Sequence, residues 1–264
     1  MSTGASRSTT AARVADPAWV ERERVIARRP RSVSTDAGFV MARRVIVVAV
    51  VLTLMSATPI VAAAPVVTTG PSWTRAVALT FDDGIGRAPC GRIARTLRAR
   101  GAKGTFFINA VNLARAPAAW RRILKRMPVG NHTRSHPDLT RLSNGAIRKE
   151  IRSNEAIHER ILGRPMLKVL RPPYGSTNAR VQRVAASLGY KRIALWNRDS
   201  LDWSHSATAS SIVARSVGAR AGSIILLHCS RWATAHALPA IIRHYHARGI
   251  ELAGLGRVLR LWRR

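Results

Sequence analysis

Short apolar runs alternate with longer stretches of helical periodicity over residues 76–252 of this chain. The clearest run, residues 76–81, leads into two adjacent carboxylates and a glycine, and such a run bounded by a turn signal predicts a buried strand. Further strands are predicted at 104–109, 167–170, 192–196 and 223–227, with 127–129 and 250–252 as weaker candidates. Helices are predicted at 91–100, 118–126, 143–162, 178–188, 207–217 and 233–248.

Strands separated by helical segments predict repeated βα units with a parallel sheet. About seven such units favour a barrel over an open sheet. Residue types at the helix ends agree with this pattern, since Ser143 suits an N-cap, Gly163 a helix end and Pro117 a first turn. No internal repeat or low-complexity linker follows residue 70, so residues 65–264 are predicted to form one α/β domain.

The first 64 residues differ in character from the rest. Residues 1–40 mix small, polar and basic side chains without a period, and we expect a disordered extension or a mis-assigned start. A basic segment beginning at Met41 then precedes the apolar stretch 45–64, which ends in alanines as secretory signals do. Because this stretch is also long enough to span a bilayer, residues 41–64 are predicted to be a signal peptide or a membrane anchor. Both alternatives place the domain outside the cytoplasm, secreted or associated with the cell wall.

The chain is strongly basic, with a net charge of +31, and all but 5 of its 44 basic residues are arginine. A field of this sign favours electrostatic association with anionic wall polymers or a membrane surface. The arginines are scattered and form no stripe interleaved with aromatic residues, so specific recognition of nucleic acid is not expected. We expect the protein to be a monomer.

Cys90 and Cys229 are the only cysteines of the chain. Each follows a predicted strand, and strand ends that share one face of a sheet would bring the two thiols close enough to bond. A disulfide also suits an oxidising compartment. Two free buried thiols are the alternative reading.

Two histidines, His132 and His136, lie four residues apart directly before a proline. On a helical turn this spacing places both side chains on one face, which is a common way to present two imidazoles to one metal. Ordinary surface histidines can show the same spacing, and the Asp82-Asp83-Gly84 segment alone is typical of a turn. One carboxylate combined with two imidazoles, however, is a common three-ligand set that leaves positions free for water and substrate.

Three later segments also follow predicted strands. Arg171 precedes two prolines and Tyr174, so its backbone is restrained and its side chain is aimed. Asp202 and Trp203 follow the strand at 192–196, and His228 ends the last long apolar run. Taken singly, each segment reads as a loop or a structural position.

The order of these five segments resembles the five signatures of the polysaccharide deacetylase family, carbohydrate esterase family four. That family shares the homology domain of the nodulation chitooligosaccharide deacetylases. The resemblance covers about residues 74–255 and implies a distorted (β/α) barrel, typically of seven strands. The five segments are residues 80–84, 132–136, 171–174, 199–203 and 226–228.

Position by position, the resemblance implies that Asp83, His132 and His136 bind a divalent metal, usually zinc, with cobalt or another ion as an alternative. It implies that Asp82 is the general base, and that Arg171 keeps Asp82 ionised and oriented.

The resemblance also implies a proton donor, His228, whose pKa is raised by its partner Asp202. The backbone N–H of Tyr174 would help to polarise the acetyl oxygen. Trp203 and Leu226 would form the walls that receive the sugar and the acetyl methyl group.

The sequence therefore predicts a metal-dependent N-deacetylase that releases acetate from GlcNAc- or MurNAc-containing glycans. Peptidoglycan is favoured because an exported enzyme meets it first and a cationic surface suits an anionic wall. Chitin oligomers and poly-N-acetylglucosamine stay open as substrates. Two other classes also stay open, a non-catalytic binding protein for anionic wall polymers and an amidase acting on a non-glycan C–N bond.

Overall fold

A computed structural model describes residues 62–261. The predicted extension at 1–40 and all but the last three residues of the segment at 41–64 lie outside the described residues. The strands are β1 Val66–Val67, β2 Ala76–Asp83, β3 Gly104–Ile108, β4 Val169–Leu170, β5 Arg192–Ala194, β6 Arg198–Asp199, β7 Ile224–His228 and β8 Glu251–Leu252. The α-helices are α1 Arg87–Ala99, α2 Ala110–Ala114, α3 Pro117–Ile123, α4 Asn144–Leu162, α5 Ala179–Ser187, α6 Ala209–Ser216, α7 Trp232–His246 and α8 Leu255–Val258.

All strand pairs are parallel, and they form two sheets. The larger sheet has the order β3-β2-β7-β6, with β8 also pairing with β2. The smaller sheet has the order β1-β5-β4. Isolated bridges from Val129 to Phe106 and from Asn131 to Leu170 connect the two sheets through the segment between β3 and β4.

The predicted parallel α/β organisation is confirmed, but the predicted seven-stranded barrel does not close in the described residues. Four strands, β1, β4, β6 and β8, are only two residues long. The weak strand expected at 127–129 contributes single bridges instead of a ladder, and Pro128 there has no N–H to donate. Short ladders joined by bridges therefore replace one continuous ring of strands.

The central strand β2 organises the larger sheet. It pairs with β3 on one side and with β7 on the other, and its first seven residues are buried. Phe81 on β2 stacks on Phe106 of β3 with ring centroids 5.2 Å apart, within the core that α1 and α7 cover. The carboxyl end of a parallel strand is the edge where such folds present their functional groups. Asp82 and Asp83 end β2 at that edge.

Helix ends follow the predicted capping residues. The hydroxyl of Ser143 accepts a hydrogen bond from the N–H of Ala146 at the start of α4, and Gly163 ends that helix at φ 67°. Pro117 occupies the first turn of α3, as predicted. The structure adds β1, β6, α2 and α8, each of two to five residues, which are too short to show a period in the sequence.

Cys90 in α1 and Cys229 directly after β7 form a disulfide, with their Cα atoms 4.6 Å apart. The predicted pairing of the two cysteines is therefore present in the structure. It links two segments that follow neighbouring strands of the larger sheet, which are 139 residues apart in the chain. Among residues 62–261, no helix combines the length and apolar character needed to cross a bilayer.

Candidate active site

Asp82 lies at the buried end of β2, directly opposite His228 in the parallel register with β7. The Nη1 atom of Arg171 donates to Asp82 Oδ1 at 2.9 Å and to Thr80 Oγ1 at 2.7 Å. Arg171 is fully buried, and its remaining donors reach the carbonyl oxygens of Ala194 and Leu195. A buried, multiply bonded guanidinium holds a carboxylate in one orientation.

Asp83 turns its carboxylate toward the two histidines. Its φ of 71° lies in the left-handed region, and Gly84 follows at φ 78°. Asp83 Oδ1 lies 3.3 Å from Nε2 of His132 and 3.3 Å from Nε2 of His136, and the three ligand atoms lie within 4.8 Å of one another. Gly84 is required at this turn, because a Cβ atom there would lie 2.6 Å from the side chain of Ile108.

This trio fits a metal ion by its own chemistry. The buried atom Asp83 Oδ1 has no hydrogen-bond partner, which is costly unless a positive group faces it. His132 Nδ1 lies 2.8 Å from the carbonyl oxygen of Arg171, so Nδ1 carries the proton and the lone pair of Nε2 points at Asp83. An unpartnered carboxylate oxygen and an imidazole lone pair that face each other repel, and a cation held between them would remove that repulsion.

The histidine segment is an irregular loop, and the predicted helical turn for His132 and His136 is wrong. Thr133 and His136 both have positive φ, 64° and 66°. A left-handed backbone at a β-branched residue is strained, and hydrogen bonds hold it. Thr133 N–H donates to Asn131 Oδ1 at 2.9 Å, and Thr133 Oγ1 accepts from His136 N–H at 3.1 Å. Loop hydrogen bonds, and not helical spacing, bring the two imidazoles together.

Helix α4 supports this loop from behind with residues that the sequence analysis missed. The buried Asn154 side chain donates to the carbonyl oxygen of Thr133. Glu150, one turn earlier, accepts from the N–H of Ser135 at 2.9 Å and from its hydroxyl at 2.8 Å. A polar residue at a core-facing position of a predicted helix, such as Asn154, is the sequence signal that could have identified this support.

His228 and Asp202 form the second ionisable pair of the site. His228 Nδ1 lies 2.7 Å from Asp202 Oδ1, while Asp202 Oδ2 accepts from the backbone N–H of His228 and from the hydroxyl of Thr234. Burial by itself would lower the pKa of His228, but the hydrogen bond and the charge of buried Asp202 raise that pKa to about 9. Thr234 belongs to α7 and was not among the predicted residues.

These groups line one cavity of about 450 Å³. Tyr174 is 69% exposed and has φ 60°, and its ring lies 4.7 Å from the ring of His136, centroid to centroid. Trp203 is 55% exposed at the rim, and Leu226 is buried. Eight of the ten predicted residues therefore border the cavity, while Arg171 and Asp202 lie behind its wall. Four further lining residues, absent from the predicted site residues, are Pro172, Gly175, Trp196 and Asp199.

Comparison with known proteins agrees with this geometry. The model of the polysaccharide deacetylase family matches residues 69–193, a range that contains Asp82, Asp83, both loop histidines and Arg171. A chitooligosaccharide deacetylase from Rhizobium leguminosarum bv. trifolii is 34% identical over 198 residues, covering 69% of this chain and 90% of the relative. This chain belongs to the polysaccharide deacetylase family.

Two further relatives extend the comparison. The peptidoglycan-N-acetylmuramic acid deacetylase PdaC of Bacillus subtilis is 36% identical over 181 residues, which cover 67% of this chain but 37% of PdaC. The solved structure of the Bc1960 peptidoglycan N-acetylglucosamine deacetylase superposes with a TM-score of 0.70 at 29% identity, covering 75% of this chain and 94% of that one. This chain therefore covers most of the length of the Rhizobium relative but only 37% of the length of PdaC.

Proposed function

We propose that this polysaccharide deacetylase hydrolyses N-acetyl groups of GlcNAc- or MurNAc-containing cell-wall glycans, with peptidoglycan as its substrate and acetate as a product. The observation that carries the proposal is one cavity bordered by a restrained carboxylate, a three-residue metal-ligand set and an imidazole of raised pKa. Relatives named as peptidoglycan and chitooligosaccharide deacetylases support this choice of substrate class.

The residues Asp83, His132 and His136 would hold a divalent cation, and zinc suits one carboxylate and two imidazoles with open positions. When bound, such a cation lowers the pKa of a coordinated water and stabilises negative charge on a carbonyl oxygen. The chain's own groups perform the proton transfers.

Asp82 is the general base, because Arg171 stabilises and orients its carboxylate at the cavity wall. It accepts the proton of the water that attacks the acetamide carbon. His228 is protonated at neutral pH and donates its proton to the departing nitrogen, so that the amine leaves as a neutral group. Asp202 keeps the imidazole of His228 oriented throughout.

The cavity walls would position the acetamide. Leu226 offers a buried apolar surface for the acetyl methyl group, and the exposed indole of Trp203 offers a face for the sugar ring. The ring of Tyr174 lies beside the ring of His136, and the backbone N–H of Tyr174, which has a left-handed conformation, would act with the cation on the acetyl oxygen.

We further propose that the domain works outside the cytoplasm. The Cys90–Cys229 disulfide fits an oxidising compartment. Residues 41–64 would then serve as the export signal or anchor, and residues 65–264 would form the catalytic domain.

The deciding experiment measures acetate release from peptidoglycan, chitin pentamer and acetylxylan side by side, with and without a chelator. We expect release from peptidoglycan that a chelator abolishes and added zinc restores. Asp82→Asn should retain one equivalent of metal and lose at least about 100-fold in turnover, the usual contribution of a general base. Wild-type turnover by metal-loaded Asp82→Asn would refute the assignment of the base.

The same assay separates the alternative functions. Binding of wall polymers without acetate release from any glycan would identify a binding protein. Hydrolysis of a small amide in the absence of glycan hydrolysis would identify a non-glycan amidase.

A further inference from the structure

A second, larger concavity lies next to the loops that follow β2 and β7. It is a groove of about 860 Å³ between α1, α3 and the first turn of α7, and we call it the arginine groove. One wall carries Ile85, whose Cα can lie at most about 7 Å from that of Asp83, two residues earlier. The N–H of Ile85 donates to Ser230 Oγ at 2.9 Å, which joins the loops that follow β2 and β7. The arginine groove therefore begins at the two loops that directly follow Asp83 and His228.

Four arginines line the arginine groove, and all four are exposed. Three belong to α1, where the spacing of Arg87, Arg95 and Arg98 places them on one side of the helix. The fourth, Arg122, faces them from α3. Among residues 62–261, none of the four forms an ion pair, and the lining includes no carboxylate. Four like charges around one groove repel each other, so stability of the fold does not explain them.

Apolar surface lies between these charges. Ile85 is 69% exposed and Trp232 is 52% exposed, although both are large hydrophobic side chains. The indole of Trp232 is held against the ring of His236, with centroids 6.0 Å apart and planes inclined by 28°. A groove that alternates guanidinium groups with apolar faces matches a ligand that carries both carboxylates and small apolar groups.

We propose that the arginine groove binds the acidic peptide stem of a peptidoglycan strand whose N-acetyl group occupies the catalytic cavity, an inference that rests on the proposed function. The stem's carboxylates accept hydrogen bonds from the guanidinium groups, and its small apolar side chains pack on Ile85 and Trp232. A neutral glycan offers the groove no charge partner. The arginine groove therefore makes the enzyme selective for glycan that still carries its peptides.

The test compares two forms of one substrate, peptidoglycan strands with their stem peptides and the same strands stripped of peptides by an amidase. The variant Arg87→Ala/Arg95→Ala/Arg122→Ala removes three groove charges that make no hydrogen bond to other described residues. Each exposed charge contact is weak, and three together predict a rise in KM of about tenfold on the peptide-bearing strands. On the stripped strands, kcat/KM should stay within about twofold of wild type.

A matched control removes the same net charge elsewhere. Arg152, Arg183 and Arg220 are exposed, and their side chains form no ion pair or hydrogen bond among residues 62–261. The control variant Arg152→Ala/Arg183→Ala/Arg220→Ala should keep the wild-type KM on both substrates. An equal rise in KM for control and groove variants would show that only the overall charge matters, and it would overturn the proposal.

A direct binding measurement keeps the inference independent of activity. Titration calorimetry of the isolated stem peptide against the metal-loaded protein should show binding to wild type and about tenfold weaker binding to the groove variant. If no glycan releases acetate, the proposed function fails while this measurement still decides the groove. Equal peptide affinity for wild type and the groove variant overturns the groove assignment. The assignment is also overturned if the groove variant binds poly(glycerol phosphate) more weakly than wild type does but binds the peptide equally well.

Discussion

The pairing of His228 with Asp202 gives the sharpest prediction about the reaction. Substitution Asp202→Asn keeps the size of the side chain and removes the negative charge that lies 2.7 Å from His228 Nδ1. The carbonyl oxygen of the new amide can still accept from the backbone N–H of His228 or from Thr234. The fold should persist, while the imidazolium loses its stabilising partner.

The size of the effect follows from the pKa of His228. Burial opposes protonation and Asp202 favours it, with a net pKa of about 9 against 6.5 for an ordinary histidine. Without Asp202 the pKa of His228 should fall toward 6.5, because Asp82 and Asp83 then remain to oppose the effect of burial, and the change is worth up to about 3 kcal/mol. At pH 8 the protonated fraction then drops from about 0.9 to about 0.03, which predicts about a 30-fold loss in turnover. At pH 5.5 both enzymes hold a protonated His228, so their rates should converge.

The assay is acetate release at saturating substrate between pH 5 and 10, with the metal-loaded enzyme. Because a bound cation opposes protonation of His228 in both proteins, the displacement of the alkaline limb between wild type and variant is the quantity to compare. Asp199→Asn is the matched control, since Asp199 borders the same cavity and its bond to the N–H of Leu201 survives in asparagine. An alkaline limb that stays in place in Asp202→Asn, or a loss equal at every pH, would refute the role of His228 as proton donor.

Three further predictions concern the metal ligands and the helix behind them. Asp83→Ala should leave less than about a tenth of an equivalent of metal after dialysis, and full occupancy by elemental analysis would contradict the ligand set. Asn154→Ala removes the hydrogen bond to the Thr133 carbonyl and should weaken metal affinity by about 10–100-fold in a competitive chelator titration. Unchanged affinity would show that the histidine loop keeps its conformation without Asn154. Burial lowers the pKa of His158 to about 4, despite its bond to the Ile108 carbonyl, so the folded state excludes a proton that the unfolded state binds below pH 6.5. Protonation of His158 in the unfolded state should therefore lower the free energy of unfolding by about 3 kcal/mol between pH 7 and pH 4. In urea titrations, His158→Gln, which can still donate to the Ile108 carbonyl, should lose about 3 kcal/mol less than wild type over this range.

Most residues that border the candidate site could be predicted from the sequence because they lie at or just after a strand end. Strand β2 and the end of β7 were identifiable from local apolar runs that stop at polar residues, and the loop histidines from their spacing of four residues before a proline. The ends of α4 were predictable for the same reason, since capping residues act on their own helix. What failed was the conformation of the histidine loop. The spacing of His132 and His136 fits a helix, but hydrogen bonds of Thr133 with Asn131 and Asn154 hold the loop in another conformation. The hydrogen bond with Asn154 joins residues that are 21 positions apart in the chain.

The support groups escaped prediction because their roles depend on distant partners. Thr80 is an ordinary strand residue until Arg171, 91 positions later, donates to its hydroxyl. Thr234 becomes part of the site only because α7 packs beneath Asp202. Neither hydrogen bond produces a local pattern in the sequence, because its two partners are far apart in the chain.

The sequence by itself determined the class of fold, the order of the strand ends and the residue types available for metal binding and proton transfer. These properties follow from apolar periodicity and side-chain chemistry, which are local. The tertiary structure decided that the strands form two sheets instead of one closed barrel, that two strained loop residues aim the imidazoles, and that four arginines share one groove beside the site. Each of these features depends on which segments of the chain lie next to each other, and long-range packing of the core determines those neighbours.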